Sequence, residues 1–360
     1  MRLVSIYNCS PGMMLGRPIY HESGQLLLAE NMMLTQRLIS RLQEHGVTVL
    51  YIQDKFTSDL ELTDTIPLEL RVKAIDTIKT TFNNLQNPKG KLHDIIKIDR
   101  FKDVISSIVK EIKASKRVVN LLSDMQVKDH YLFSHSLNVM IYTLGLAVDK
   151  GFNDRKLNEI GLGCILHDIG KMLIPENVLQ KPGKLTDEEF EQIKKHTEFG
   201  FQMLRKEIEI PLLAAHCAFQ HHEKWNGTGY PRGLKEEEIH PYARLIAVGD
   251  VFDALTSHRV YRKAMLPHEA IDIIFAETNT HFEQEAVEIF RKKIVIYPIG
   301  LTVELSTGEK GVVVDSNANF VTRPVIRVFE SPTGEKLTEC QEIDLSKNLS
   351  IMIVGCEAIL

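Results

Sequence analysis

The chain is poor in cysteine. The five it has (Cys9, Cys164, Cys217, Cys340 and Cys356) are scattered, odd in number and form no CxxC pair. That pattern argues against a thiolate metal site and a disulfide framework, and it suits reduced thiols in a cytoplasm. No apolar run approaches the roughly 20 residues needed to cross a bilayer, so no membrane partner is expected. Arg2 is followed by no apolar stretch and no small-residue cleavage site, so no signal peptide is expected. Positive charge is not in excess: 43 Lys and Arg against 48 Asp and Glu leave a formal net charge of -5, which argues against duplex nucleic acid as a partner. What remains is an ordinary globular composition, 44% hydrophobic and 25% charged, on a 360-residue chain with room for two or three domains.

Residues 1–60 read as a small α/β module. Leu3–Ile6 is strand-like, and Ser23-Gly24 turns between Arg17–Tyr20 and Gln25–Leu28. An amphipathic helix runs from Leu34 to His45 with Thr35 as N-cap and Gly46 past its end, and Val47–Ile52 is a β-branched strand. Residues 61–127 read as a helical linker or dimerisation region. Leu68–Leu85 is one helix, broken at Asn87-Pro88-Lys89-Gly90, and Ile95–Met125 is one long helix or two short ones. The mixed-sign charges there are a solvated face, with homodimer packing as the other use. Residues 128–292 are almost wholly helical and hold most of the histidines. From 293 to 360 the chain turns β-rich, with strands expected at Ile294–Tyr297, Thr302–Leu305, Gly311–Val314 and Val325–Phe329.

In the helical middle, imidazoles and carboxylates sit in or at the ends of apolar segments. Ile165-Leu166-His167-Asp168-Ile169-Gly170-Lys171 ends one helix, with Gly170 expected as its C-terminal cap. Neighbours on a helix diverge by about 100°, so His167 and Asp168 do different jobs. His135 lies in the apolar stretch Tyr131–Met140, and His196 lies on a helix opened by the capping box Thr186 and Glu189. A helix beginning at Pro211 ends in His221-His222. Asp250 falls inside Leu245–Leu255, where a carboxylate is rare unless paired or bound to metal. Five histidines and two aspartates on five helices, with no thiolate, suit iron, manganese, zinc, cobalt or nickel. Seven ligands exceed one tetrahedral site, so two ions sharing Asp168 is the natural reading. Such a centre clamps a phosphodiester. The loop Glu223–Gly233 offers Trp225 or Tyr230 to stack on a base. Arg259, Arg262 and Lys263 are spaced to line one side of a phosphate. Asp253, one turn beyond Asp250, is expected behind the ligands or in a helix-internal hydrogen bond.

The sequence here resembles the HD-GYP family, a branch of the HD phosphohydrolases. The matching residues are His135 in His-Ser-x-Asn-Val, His167-Asp168-Ile169-Gly170-Lys171, His196, His221-His222-Glu223, Gly229-Tyr230-Pro231, and Asp250-Val251-Phe252-Asp253-Ala254-Leu255-Thr256-Ser257 followed by Arg259-x-Tyr261-Arg262. The resemblance spans about 128–292 and implies a mainly α fold: an HD-type helical bundle with small α/β N-terminal and β-rich C-terminal flanking domains. It implies hydrolysis of cyclic di-GMP to pGpG, and often GMP, by metal-hydroxide attack. The implied metal ligands are His135, His167, Asp168, His196, His221, His222 and Asp250, with two divalent ions, iron or manganese. Asp168 and Lys171 carry the catalytic roles. Lys171, Arg259 and Arg262 meet the phosphates, and Gly229, Tyr230 and Pro231 hold a guanine. Members with three metals carry a Glu one turn before the first histidine; Tyr131 stands there, which implies two ions. The rival readings are the same chemistry on a cyclic GMP-AMP dinucleotide, a receptor that binds cyclic di-GMP without cutting it, and a helical scaffold for partner proteins. Signalling partner proteins are left open as further partners.

Overall fold

A computed structural model describes residues 1–20, 25–45, 47, 49–60, 64–86, 96–115, 131–181, 183–257, 265–317 and 320–356. The fold is mainly helical, with a small α/β region at the N-terminus and a β-rich C-terminus. Two helices, α2 (Leu68–Gln86) and α3 (Ile98–Ala114), lead into the middle of the chain. There α4 (Tyr131–Asp149), α5 (Asp154–Leu166), α6 (Asp187–Leu204), α7 (Leu212–Gln220) and α8 (Pro241–Thr256) pack side by side. Then α9 (Pro267–Ala276) and α10 (Gln284–Lys293) close the bundle. One buried cluster runs from Ile66 to Ile296, so α2 and α3 share the core of the bundle. On α3 the apolar residues Phe101, Val104, Ile105, Ile108 and Ile112 recur at helical spacing and are fully buried. Each such side chain stabilises the fold by about 1.5–3 kcal/mol.

The helix starts are set locally. Asn153 accepts from the Lys156 amide at 3.0 Å, opening α5. Thr186 and Glu189 form the reciprocal capping box expected from the sequence, at 3.2 and 2.7 Å. Pro211 precedes α7, and Pro241 fills the first turn of α8, where its missing N–H is harmless.

In the N-terminal region β1 (Arg2–Ser5) pairs antiparallel with β4 (Val49–Ile52), and β2 (Ile19–Tyr20) pairs with β3 (Leu26–Leu28) around α1 (Gln36–Glu44), which Thr35 caps. The tip of the expected hairpin at Ser23-Gly24, and Gly46, lie outside the described residues. The C-terminal sheet has the order β8-β7-β6-β5-β9, from β5 (Thr302–Leu305), β6 (Lys310–Asp315), β7 (Val325–Glu330), β8 (Lys336–Asp344) and β9 (Ile353–Cys356). The two ends of the chain meet. The Leu3 amide donates to the Gly300 carbonyl at 2.7 Å, and Leu3, Val49 and Tyr51 share a buried cluster with Leu301, Val303 and Val328.

One expectation needs correction. Ile294–Tyr297 forms no strand; it leaves α10 as a connector whose Ile294 and Ile296 are buried against the helical core. The expected helix Ile95–Met125 is described as α3 alone, ending at Ala114, and 116–130 lie outside the described residues. Among the described residues, no helix is long and apolar enough to cross a membrane.

Candidate metal centre

The seven sequence-predicted ligand residues converge. His135 comes from the first turns of α4, and His167 and Asp168 from the end of α5. His196 comes from mid-α6, His221 and His222 from the end of α7, and Asp250 from α8. Their ligand-type atoms form two groups, Asp168 with His196, His221 and His222, and His135 with His167 and Asp250, each with its atoms within 4.8 Å of one another. Asp168 lies between the groups. Its Oδ1 is 3.4 Å from His196 Nε2 and 3.7 Å from His221 Nε2, and its Oδ2 is 3.4 Å from His167 Nε2 and 3.6 Å from His135 Nε2. His135 Nε2 is also 3.2 Å from Asp250 Oδ1, and His222 Nδ1 is 4.0 Å from Asp250 Oδ2.

These separations fit shared ions. Two ligands at about 2.1 Å from one ion lie roughly 3.0–3.4 Å apart across an octahedral or tetrahedral edge. The histidines are also aimed. His167 Nδ1 donates to the Cys164 carbonyl at 2.6 Å, His196 Nδ1 to Ile193 at 2.6 Å, and His221 Nδ1 to Ala218 at 3.0 Å. Each bond holds the proton on Nδ1 and turns the Nε2 lone pair to the centre. His167 Nε2 and Asp168 Oδ1 are buried with no hydrogen-bond partner, a costly state that a cation relieves.

The electrostatics agree. Burial pushes His196 down to about 3 and also lowers His221 and His222, so this group presents neutral imidazoles. At His135 burial opposes protonation, but hydrogen bonds to Asp250 and Asp253 outweigh it and raise the imidazole to about 9. Burial likewise works against ionised Asp168 and Asp250, yet Lys171 and His167 hold Asp168, and His135 holds Asp250, well below the usual carboxylate range. The pocket therefore calls for positive charge.

Gly170 has a different reason from the one expected. It lies in a 3-10 turn, Ile169–Leu173, and its φ is not left-handed. A Cβ there would stand 1.9 Å from the His196 carbonyl oxygen and 2.6 Å from the Gly200 amide, so the glycine lets the turn after Asp168 lie against α6. From this turn Lys171 donates to Asp168 Oδ2.

The loop after His222 forms the rim. Tyr230 stands beside His222 with ring centroids 4.8 Å apart and meets Phe190 edge-on at 6.2 Å; Lys194 Nζ lies 5.6 Å from the Tyr230 centroid. The Tyr230 amide donates to the His222 carbonyl at 3.1 Å, and the Tyr230–Pro231 peptide is cis. Gly229 passes so close to the chain that a Cβ would be 2.2 Å from the Lys224 amide. Buried Glu223 ties the loop down, accepting from the Arg232 and Leu234 amides at 2.8 and 3.0 Å. The Trp225 amide pairs with the His281 carbonyl at 3.0 Å, and its ring lies under the Arg244 guanidinium at 5.2 Å. Arg259, Arg262 and Lys263 lie outside the described residues.

Asp253 stands behind His135. It accepts from His135 Nδ1 at 2.7 Å, from Asn138 Nδ2 at 2.9 Å and from Ser257 Oγ at 3.1 Å, which joins both roles expected of it. Asn138 could have been found by its place three residues after His135 on one helix face. Glu223 carried no signal for its anchoring role beyond its place beside His222.

A buried cluster of imidazoles and carboxylates at the heart of a helical bundle defines a divalent-metal protein of the HD type, and the comparisons agree. Residues 118–286 match the HD domain, and residues 302–358 match the KOW domain associated with the HD domain. A cyclic di-GMP phosphodiesterase of Pseudomonas aeruginosa is 39% identical over 257 residues, covering 70% of this chain and 62% of that protein. A cyclic di-GMP phosphodiesterase of Thermotoga maritima is 40% identical over 176 residues, covering 49% and 47%. The 3'3'-cGAMP-specific phosphodiesterase 2 of Vibrio cholerae is 34% identical over 179 residues, covering 49% and 34%. The chain thus spans less than two thirds of the length of these relatives. Residues 118–286 thus match an HD domain, and the motifs of that segment are similar to those of the HD-GYP branch.

Proposed function

We propose that the chain is a metal-dependent phosphodiesterase that hydrolyses cyclic di-GMP to pGpG, with GMP as a further product. The observation that carries this is the convergence of the seven side chains around buried, unpartnered His167 Nε2 and Asp168 Oδ1. The activities named for the relatives and the aromatic, cationic rim at Tyr230 and Lys194 support a cyclic dinucleotide as substrate. We assign His196, His221 and His222 to one ion, His135, His167 and Asp250 to a second, and Asp168 to both. Iron or manganese suits this donor set of imidazole and carboxylate.

When bound, such a pair of ions supplies hydroxide at neutral pH and offsets phosphodiester charge. Asp168 orients the attacking oxygen in line with the bond to be broken. The attacking oxygen would bond to phosphorus as the P–O3' bond breaks, and the proton it sheds would pass to O3', giving a linear product with a 5'-phosphate. Lys171 moves from Asp168 to a non-bridging phosphate oxygen, and Arg259 and Arg262 meet the far phosphate side. Tyr230 stacks on guanine while Gly229 and Pro231 shape the pocket mouth.

The same reading takes residues 1–60, 61–127, 128–292 and 293–360 as units in a cytoplasmic enzyme, and leaves a homodimer and signalling partner proteins open. The test is product analysis after anaerobic loading with ferrous iron or manganese. Cyclic di-GMP should yield pGpG or GMP, and the His167→Ala/Asp168→Ala variant should yield neither. Exclusive turnover of 3'3'-cGAMP would move the substrate to that of the Vibrio cholerae relative, and tight binding without turnover would make the chain a receptor.

A further inference from the structure

Helix α2 precedes the matched HD segment, yet it is built into the metal-centre end of the bundle. Its Ile75, Ile78 and Phe82 share the buried core with α4, and it packs against both α4 and the 3-10 turn that follows Asp168. Near its start is Arg71, a buried cation at 8% exposure. Its guanidinium donates to Asn138 Oδ1 at 3.2 Å. Asn138 Nδ2 donates to Asp253 Oδ1 at 2.9 Å, and Asp253 Oδ2 accepts from His135 Nδ1 at 2.7 Å. His135 Nε2 then faces Asp250 and Asp168 at 3.2 and 3.6 Å.

We infer that Arg71 is a positioning residue for the metal centre, acting through Asn138 and Asp253 to fix the tautomer and aim of His135. The argument is directional and rests on the metal-site reading of the proposed function. A guanidinium has donors and no acceptor, so the end of the Asn138 amide that meets it is the oxygen. That leaves the NH2 end for Asp253. Were the amide reversed, its oxygen would face a carboxylate oxygen and the two would repel. With Oδ1 engaged by Asn138, Asp253 keeps Oδ2 for His135 and holds a proton on Nδ1, so Nε2 is the nitrogen that an ion would take in place of the proton shared with Asp250. Arg71 therefore sets one end of a relay whose other end is a ligand. It also ties the helix leading in from the N-terminal region to the metal centre.

The test uses the full chain as wild type, Arg71→Met, Arg71→Lys, Asn138→Ala and the Arg71→Met/Asn138→Ala double variant. Metal bound per chain, apparent metal affinity, kcat, KM and melting temperature are measured for each. Arg71→Met should weaken metal affinity about tenfold, as loss of a group behind a ligand does, and lower kcat with KM within about twofold of wild type. Arg71→Lys, which keeps a donor, should recover most of the metal. In the Asn138→Ala background Arg71→Met should add less than about twofold, because the relay is already cut. Arg71→Gln replaces Arg71→Met in the same cycle if the latter does not fold. Wild-type metal affinity in the substituted chain overturns the inference, and so does an equal loss in both backgrounds. A wild-type chain that takes up no metal overturns the inference together with the proposed function; a metal-replete wild type beside an unaffected Arg71→Met overturns the inference alone.

Discussion

Gly170→Ala separates two explanations for a glycine in the His-Asp segment. A helix-capping glycine in a left-handed conformation tolerates Asn and loses about 1 kcal/mol on change to Ala. Gly170 is not left-handed, and its added Cβ would lie 1.9 Å from the His196 carbonyl oxygen. A carbon reaches a carbonyl oxygen no closer than about 3.3 Å, so the turn and α6 must part by roughly 1.4 Å. The Gly200 amide at 2.6 Å adds a second backbone obstacle, so rotation of a side chain cannot relieve the overlap. Overpacking of this kind costs about 2–3 kcal/mol, or about 4–12 °C in melting temperature for the helical unit. The larger effect falls on the site, because Asp168 and His196 sit on the two parts forced apart, and ligand distances tolerate only about 0.2 Å. Thermal denaturation and metal analysis of Gly170→Ala and Gly170→Asn read both effects. The expected result is loss of stability and of bound metal in both, with Asn worse than Ala. Asn tolerated as well as Ala, with full metal content, would refute the close-approach explanation.

Asp168→Ala should remove bound metal and hydrolysis together, since the residue stands between both ligand groups; full activity by product analysis would contradict its bridging place. Tyr230→Ala should raise KM about tenfold, the loss expected for one stacked base, with metal content unchanged; an unaltered KM would remove Tyr230 from the substrate pocket. Arg327 grips Asp59 at 2.6 and 2.8 Å and Glu342 at 2.8 Å, joining the two ends of the chain. Asp59 is largely exposed, so solvent screening limits the effect of Arg327→Ala to about 1 kcal/mol, readable as faster hydrogen exchange in residues 1–60. The Arg327 hydrogen bonds lower Asp59 to about 2. Its contribution is therefore complete above the unfolded carboxyl value of about 3.9 and fades as pH falls toward 2. Protection of this segment that rises on acidification would reverse that sign.

The convergence of the candidate ligand residues was legible because chemistry and helix pattern coincide: an aspartate inside the apolar Leu245–Leu255 and histidines at helix ends call for a common partner. The capping box at Thr186 and Glu189 was legible because it is local. Three features were not. Strand β8 is mostly polar and β9 is only four residues long, so no apolar alternation announced them. The contact of Leu3 with Gly300 joins opposite ends of the chain, which periodicity cannot see. The reach of Arg71 to Asn138 crosses 67 residues, and a lone arginine on a mixed-charge helix reads as solvated until the packing places it inside. The surroundings of Trp225 were not legible either: the backbone pairing of Trp225 and Asn226 with His281 and Thr280, far along the chain, carries its ring under Arg244.

The most direct measurement is the metal content of the anaerobically purified full chain beside Asp168→Ala, by elemental mass spectrometry with ferrous iron or manganese supplied. The account predicts about two ions per wild-type chain, because six candidate ligands around the shared Asp168 carboxylate suit a binuclear centre, and a fall to well below one in the variant. A single ion in wild type, or an Asp168→Ala chain that keeps both, would contradict it.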